Sequence, residues 1–166
     1  MEHITYNRAK AVNYAHRWAF GRNQNYYDFE NLGGDCTNFI SQCVYAGCGV
    51  MNYTPDLGWF YISLSYRSAG WSGVPYLYNF LTGNEGPGPY GHEAPLSEAA
   101  PGDIIQMSFD NVRFSHSLIV VSTGRRPSVW NIRVATHTMD SDNRPLHTYR
   151  YMASRLIKID GARRPE

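Results

Sequence analysis

The chain has 166 residues, 43% of them apolar, and a formal net charge of +1 at pH 7. This length fits one domain with a substantial core, and no apolar stretch of about 18 residues predicts a membrane span. The balanced charge argues against a nucleic-acid-binding protein. The segment from Met1 to Tyr6 lacks the charged start and apolar run of a signal peptide. We therefore expect a protein that stays inside the cell or a domain of an exported protein.

The first predicted element is a helix that starts after Asn7 and stops at Gly21. Asn7 is a good N-cap residue, and apolar residues then recur on one helical face. These residues are Ala11, Val12, Ala15, Trp18 and Ala19. Residues 22–32 are polar, aromatic and irregular, which predicts a loop that leads into the next helix.

The second predicted helix carries a candidate nucleophile in its first turn. Gly33 and Gly34 allow a sharp turn into Asp35, a good N-cap residue, and Gly47 is the predicted stop. Cys36 shares one helical face with Phe39, Ile40, Cys43 and Val44. In the first turn, unpaired N–H groups and the helix dipole favour a thiolate, which is the nucleophilic form of cysteine. The alternative is a buried, inert cysteine.

The remaining chain predicts few helices and several strands. Residues 49–101 are rich in Gly, Pro, Tyr and Trp, and only 74–81 reads as a helix, with Pro near its first turn. Strands are predicted at 103–109, 115–123, 129–136 and 156–159. Helices followed by a run of strands predict an α+β fold with an antiparallel sheet packed on helices.

Three cysteines cannot all pair within one chain. Cys36 and Cys43 lie about two turns apart on one helix, which is too far for a disulfide. Their spacing also lacks the two tight ligand pairs of a structural zinc site. We expect no metal and no cofactor, a core position for Cys43 and no assigned role for Cys48.

A cysteine nucleophile needs a base and a group that orients this base. His116 opens the apolar run 117–121, so a strand would hold its imidazole rigidly. If the following strands form a hairpin, His137 returns beside His116 and fixes its tautomer, with Asp140 as the alternative. The backbone N–H of Cys36 would stabilise an oxyanion together with one side-chain donor. Candidates for this donor are Asn31, Asn38 and Gln42.

The run GGDCTNFISQCVYAG, residues 33–47, resembles the signature of the putative amidase domain family, a branch of the NlpC/P60-like cysteine hydrolases. Further similar runs are YNRAKAVNYAHRWAFGRNQNYYDF, PGDIIQM, HSLIVV and THTMDSDNRPL. The chain departs from the pattern at Cys48, where glycine is expected. The resemblance implies a papain-like fold with the cysteine helix packed on the sheet. It also implies that His116 is the catalytic histidine and that a polar residue, often histidine, occupies the third position.

Taken together, the sequence predicts a single papain-like amidase domain over residues 1–166 that cleaves an amide bond through a thioester, using Cys36, His116 and His137. The expected substrate is a peptide or amide, and family analogy suggests the stem peptide of peptidoglycan. Asp35 is a candidate for binding a substrate amine. Trp71 is a candidate stacking surface in a groove formed by residues 51–91. A monomer is expected.

Two other function classes stay open from the sequence. An acyltransferase or transglutaminase-like enzyme would share the first half-reaction and pass the acyl group to an amine instead of water. A binding module that has lost its activity would keep the fold, but the joint presence of the cysteine and both histidines argues against it.

Overall fold

Helices dominate the first half of the chain and strands the second, as predicted. The computed structural model describes residues 1–166. The helices are α1 (Arg8–Trp18), α2 (Cys36–Cys48), α3 (Ala69–Ser72) and α4 (Val74–Gly83). The strands are β1 (Glu2–Ile4), β2 (Tyr61–Ser63), β3 (Tyr66–Arg67), β4 (Gly88–Ala94), β5 (Ile104–Ser108), β6 (His116–Ser122), β7 (Arg133–Thr136), β8 (Ser141–Pro145) and β9 (Ala153–Arg164).

Seven strands form one antiparallel sheet in the order β1-β9-β5-β6-β7-β8, with β4 also paired to β9. The predicted α+β class with an antiparallel sheet is therefore confirmed. The sequence did not predict β1 to β4 or β8. Strand β4 contains Gly and Pro, and β8 has four polar residues followed by Pro145. These elements depend on pairing with a neighbouring strand rather than on their own residue pattern. No helix combines the length and apolar character that crossing a bilayer requires.

The sheet separates two apolar cores, and α1 and α2 cover one of its faces. Alternate residues of β6 face opposite cores, because successive strand side chains point to opposite sides. Ile119 belongs to the core that contains Phe39 of α2, whereas Leu118 belongs to the core that contains Met107. Ser117 therefore faces α2, and its neighbour His116 faces the other core.

The turn before α2 has the geometry that the two glycines predict. Gly33 and Gly34 have φ angles of 88° and 97°, which residues with a Cβ rarely adopt. The predicted stop at Gly47 is wrong, because α2 continues to Cys48 and ends at Gly49 with a φ of 71°. Gly47 instead allows close packing, since a Cβ there would lie 2.5 Å from the ring of Tyr6.

A buried cysteine in α2 offers a test of this packing. Cys43 is fully buried in the helix-side core, so Cys43→Ser places a hydroxyl among apolar atoms. We expect it to lower the free energy of unfolding by about 1–3 kcal/mol in urea denaturation. Cys48→Ser is the control, because the Cys48 thiol already donates to the carbonyl of Val50 and a hydroxyl can do the same. Equal losses in the two variants would contradict this packing.

Candidate active site

Cys36 begins α2 and lies against the first residues of β6. The hydroxyls of Thr37 and Ser117 are 3.0 Å apart and tie the first turn of the helix to this strand. The Cys36 Sγ lies 3.8 Å from the Thr37 Oγ1, and the Ser117 backbone is close enough to lower the pKa of the thiol. Cys36 on the helix thus lies beside Ser117, the residue that directly follows the candidate base His116 in β6.

Burial controls the protonation of this thiol. It raises the pKa of Cys36 above its usual range, although hydrogen bonds from Ser117 and Thr37 act in the opposite direction. The expected thiolate at the helix N-terminus is therefore wrong for this conformation. Only 7% of Cys36 is exposed, and the loss of hydration at this burial outweighs the hydrogen bonds that favour the thiolate. Cys36 is a neutral thiol at pH 7.

His116 occupies the start of β6 on the opposite face of the sheet. Its ring lies between those of Phe109 and Tyr149, with centroid distances of 6.1 and 6.3 Å. Burial lowers the pKa of His116 to about 4, and the positive charge of Arg144 adds to this effect. Neither ring nitrogen hydrogen-bonds another residue. His116 is therefore a neutral imidazole with free nitrogens, which is what a general base requires.

The thiol and the imidazole line two adjacent clefts that meet at Ser115. The first, of about 470 Å³, contains Cys36, and the second, of about 500 Å³, contains His116. No hydrogen bond joins Cys36 to His116.

His137 lies on the helix side of the sheet, away from His116. Pairing of Ile119 with Ala135 places position 137 opposite Ser117, so His137 faces α2. Its Nδ1 is 2.5 Å from the Asp35 carboxylate and its Nε2 is 2.8 Å from the Trp18 carbonyl. The hydrogen bond from His137 to His116 that the hairpin predicted is absent, because the two side chains lie on opposite faces of the sheet.

The alternative orienting group, Asp140, does not contact His116 either. Its two carboxylate oxygens accept hydrogen bonds of 2.9 and 3.1 Å from the guanidinium of Arg22. Arg22 also lies 3.8 Å from the Asp35 carboxylate. Asp140 thus belongs to an ion-pair group that supports the turn before Cys36.

Asp35 and Trp71, the predicted substrate-binding residues, are both buried. The Asp35 carboxylate accepts hydrogen bonds from the Phe29 N–H and the Asn38 side chain, besides its contact with His137. The carboxylate has no free surface for a substrate amine. Trp71 is also fully buried and donates its indole N–H to Asn38. Only the segment after it, residues 72–75, lines the Cys36 cleft.

None of the three side-chain candidates for the oxyanion donor lines the Cys36 cleft. Asn38 is committed to Asp35 and Tyr27, and the Gln42 oxygen accepts from Tyr14. Asn31 is exposed before the turn. The backbone N–H of Cys36 has no protein acceptor, as expected at the start of a helix.

Several site residues had no signal in the sequence. Ser117 and Gln106 are buried polar residues within strands, and Gln106 donates to the Ser117 hydroxyl at 3.2 Å. Arg155 and Arg144 line the two clefts, yet in the sequence they resemble ordinary surface arginines. No group of three or more His, Cys, Asp or Glu side chains converges as a metal site.

Comparison with known proteins adds one family and one relative. Residues 5–159 match the family described as the putative amidase domain. The chain is 33% identical over 120 residues to a Bacillus subtilis (strain 168) protein described as uncharacterized protein YhbB. This match covers 70% of the chain and 37% of the relative, so the chain spans well under half of that protein. No solved structure matches the chain.

The buried imidazole of His116 gives a pH-dependent stability. Because burial lowers its pKa from 6.5 to about 4, the unfolded chain binds this proton more readily between these two pH values. The contribution of His116 to the free energy of unfolding is therefore fully present above pH 6.5 and is lost as the pH falls toward 4. Between pH 7 and 4.5 we expect wild type to lose about 2 kcal/mol more than His116→Asn in urea denaturation. Equal losses in both proteins would contradict a buried neutral imidazole.

Proposed function

The chain belongs to the putative amidase domain family, and we propose that it hydrolyses an amide bond through a thioester on Cys36, with His116 as general base and acid. Family membership indicates an amide hydrolase. The observation that supports the cysteine mechanism is that the Cys36 thiol and an imidazole without a hydrogen-bond partner, that of His116, line two clefts that share Ser115.

In the first step, the Cys36 sulfur attacks the amide carbonyl carbon while His116 accepts the thiol proton. The carbon–nitrogen bond then breaks, and the imidazolium gives its proton to the departing amine. In the second step, water attacks the thioester with His116 again as base. The sulfur leaves as the carboxylic acid forms, and the thiol regains its proton.

The protonation states favour proton transfer during the attack rather than before it. The raised pKa of Cys36 and the lowered pKa of His116 keep both groups neutral at pH 7. For this step the His116 ring turns from its contacts with Phe109 and Tyr149 toward the sulfur. Its nitrogens break no protein hydrogen bond in doing so. Catalytic hydrogen bonds in free enzymes are often long and tighten when substrate binds.

The backbone N–H of Cys36, at the positive end of α2, stabilises the oxyanion of the tetrahedral intermediate. His137 contributes as a positioning residue rather than as a partner of His116. Its contact with Asp35 holds the residue before the nucleophile, and its ring stacks on Phe39 at a centroid distance of 3.9 Å. This arrangement fixes the first turn of α2 and with it the Cys36 N–H.

The proposed fold type is papain-like, and a bacterial cell-wall peptide is the proposed substrate. The support is the resemblance of the cysteine and histidine motifs to NlpC/P60-like hydrolases. The test substrate is purified peptidoglycan, with products identified by mass spectrometry. A released amine with a new free carboxylate on the acyl fragment would indicate hydrolysis, whereas an acyl fragment that carries added glycine amide would indicate acyl transfer instead.

Substitution of the nucleophile and the base tests the mechanism. We expect Cys36→Ser and His116→Ala to lower kcat by at least about 1000-fold, because each removes a group needed in the transition state. His137→Ala should lower kcat by about 10-fold to 1000-fold, because it loosens the position of Cys36 without removing a reacting group.

Cys48→Ser is the matched control for these variants. It changes a buried cysteine of the same helix that lies at the far end of α2 from the site, so kcat should stay within about twofold of wild type. Circular dichroism and thermal unfolding identify variants that lose the fold. Full turnover in a folded Cys36→Ser variant would contradict the proposed mechanism.

A further inference from the structure

The two clefts around the candidate nucleophile are lined by positive charge. Arg113 and Arg155 line the Cys36 cleft, and Arg144 and Arg150 line the His116 cleft. No Asp or Glu lines either cleft. This is a local excess, because the whole chain carries a net charge of only +1. A site of this kind concentrates anions and disfavours cations.

Arg155 is the most rigidly held of these side chains. Its guanidinium lies 3.7 Å from the ring centroid of Tyr78 and 4.0 Å from that of Phe114. Its Nε and Nη2 donate to the Gln106 oxygen at 2.9 and 2.7 Å. Gln106 is fully buried, so the guanidinium is clamped by two rings and one fixed amide.

The same buried amide connects Arg155 to the nucleophile helix. The Gln106 Nε2 donates to the Ser117 hydroxyl at 3.2 Å, and this hydroxyl lies 3.0 Å from that of Thr37. A continuous line of buried side-chain hydrogen bonds thus fixes Arg155 relative to the residue next to Cys36. The arginine belongs to the architecture of the cleft rather than to the general surface.

Arg155 lacks the carboxylate that a half-buried arginine usually contacts. The arginines in ion pairs are Arg8, Arg22 and Arg164. Glu93 is the acidic group that acts on Arg155, but it lies beyond ion-pair distance and accepts a hydrogen bond from Tyr78. The Nη1 group of Arg155 makes no hydrogen bond to the protein. A desolvated guanidinium with a free donor edge in a cleft is a carboxylate-binding arrangement.

We infer that the substrate carries a carboxylate next to the amide that is cleaved, and that Arg155 binds this carboxylate and determines specificity for an acidic substrate. The inference rests on the proposed function for the identity of the cleft as the substrate site. The guanidinium would hold the carboxylate beside the sulfur of Cys36, so the negative group lies close to the carbonyl under attack.

Two thiol reagents that differ only in charge test this inference without any turnover. Iodoacetate carries a carboxylate, and iodoacetamide is its neutral counterpart. Peptide mass spectrometry measures the rate at which each reagent alkylates Cys36. We expect the iodoacetate rate divided by the iodoacetamide rate to be higher at Cys36 than for N-acetylcysteine. Arg155→Met keeps the packing between the rings and should lower this ratio about tenfold at low salt. Arg155→Lys should retain most of it.

The control is Arg125→Met, which removes an exposed arginine in the loop after β6, at the opposite end of this strand from His116. Its ratio should equal that of wild type. An unchanged ratio in Arg155→Met, or an equal fall in both variants, would overturn the inference. If circular dichroism shows that Arg155→Met does not fold, Arg113→Ala in the same cleft replaces it. An unchanged alkylation ratio in Arg113→Ala would overturn the claim that positive charge in this cleft attracts a carboxylate.

Hydrolysis of a matched pair of amides separates this inference from the proposed function. Succinic acid mono-4-nitroanilide carries the carboxylate, and butanoic acid 4-nitroanilide lacks it. We expect wild type to prefer the succinyl compound in kcat/KM by about tenfold, and Arg155→Met to lose this preference. Failure to cleave either compound would count against the proposed function, and the alkylation ratio would still decide whether Arg155 binds a carboxylate.

Discussion

The contact between Asp35 and His137 fixes the geometry on which the rest of the site depends. It joins the residue before the nucleophile to the end of β7 at 2.5 Å, and both side chains are only 1% exposed. Both neighbours of the His137 ring nitrogens, the Asp35 carboxylate and the Trp18 carbonyl, are acceptors. Loss of either partner would leave a buried polar group unpaired, which is more costly than the contact is favourable.

The second constraint is the alternation of side chains along β6. Ser117 faces α2 and contacts Thr37, so its neighbour His116 faces the other core. The thiol and the imidazole therefore approach one another only around the end of the strand, where Ser115 lies.

Local patterns in the sequence predicted the elements that carry their own signal. The Asn7 cap of α1, the glycine turn before Cys36 and the helix that contains Pro75 follow from residue type and spacing. The partner of His137 did not follow from the sequence, because a shift of one residue in strand register moves a side chain to the other face. The position of Arg155 in the Cys36 cleft was equally hidden, since its partners, Tyr78, Phe114 and Gln106, are distant in sequence.

Acylation of Cys36 by 4-nitrophenyl acetate tests most directly whether His116 activates this thiol. We predict a burst of nitrophenolate in wild type, with the acetyl group found on the Cys36 peptide by mass spectrometry. The His116→Ala variant should acylate at least about 100-fold more slowly at pH 7, because no base accepts the thiol proton. Equal burst rates in the two proteins, or acetylation confined to other residues, would contradict a mechanism in which Cys36 and His116 act together.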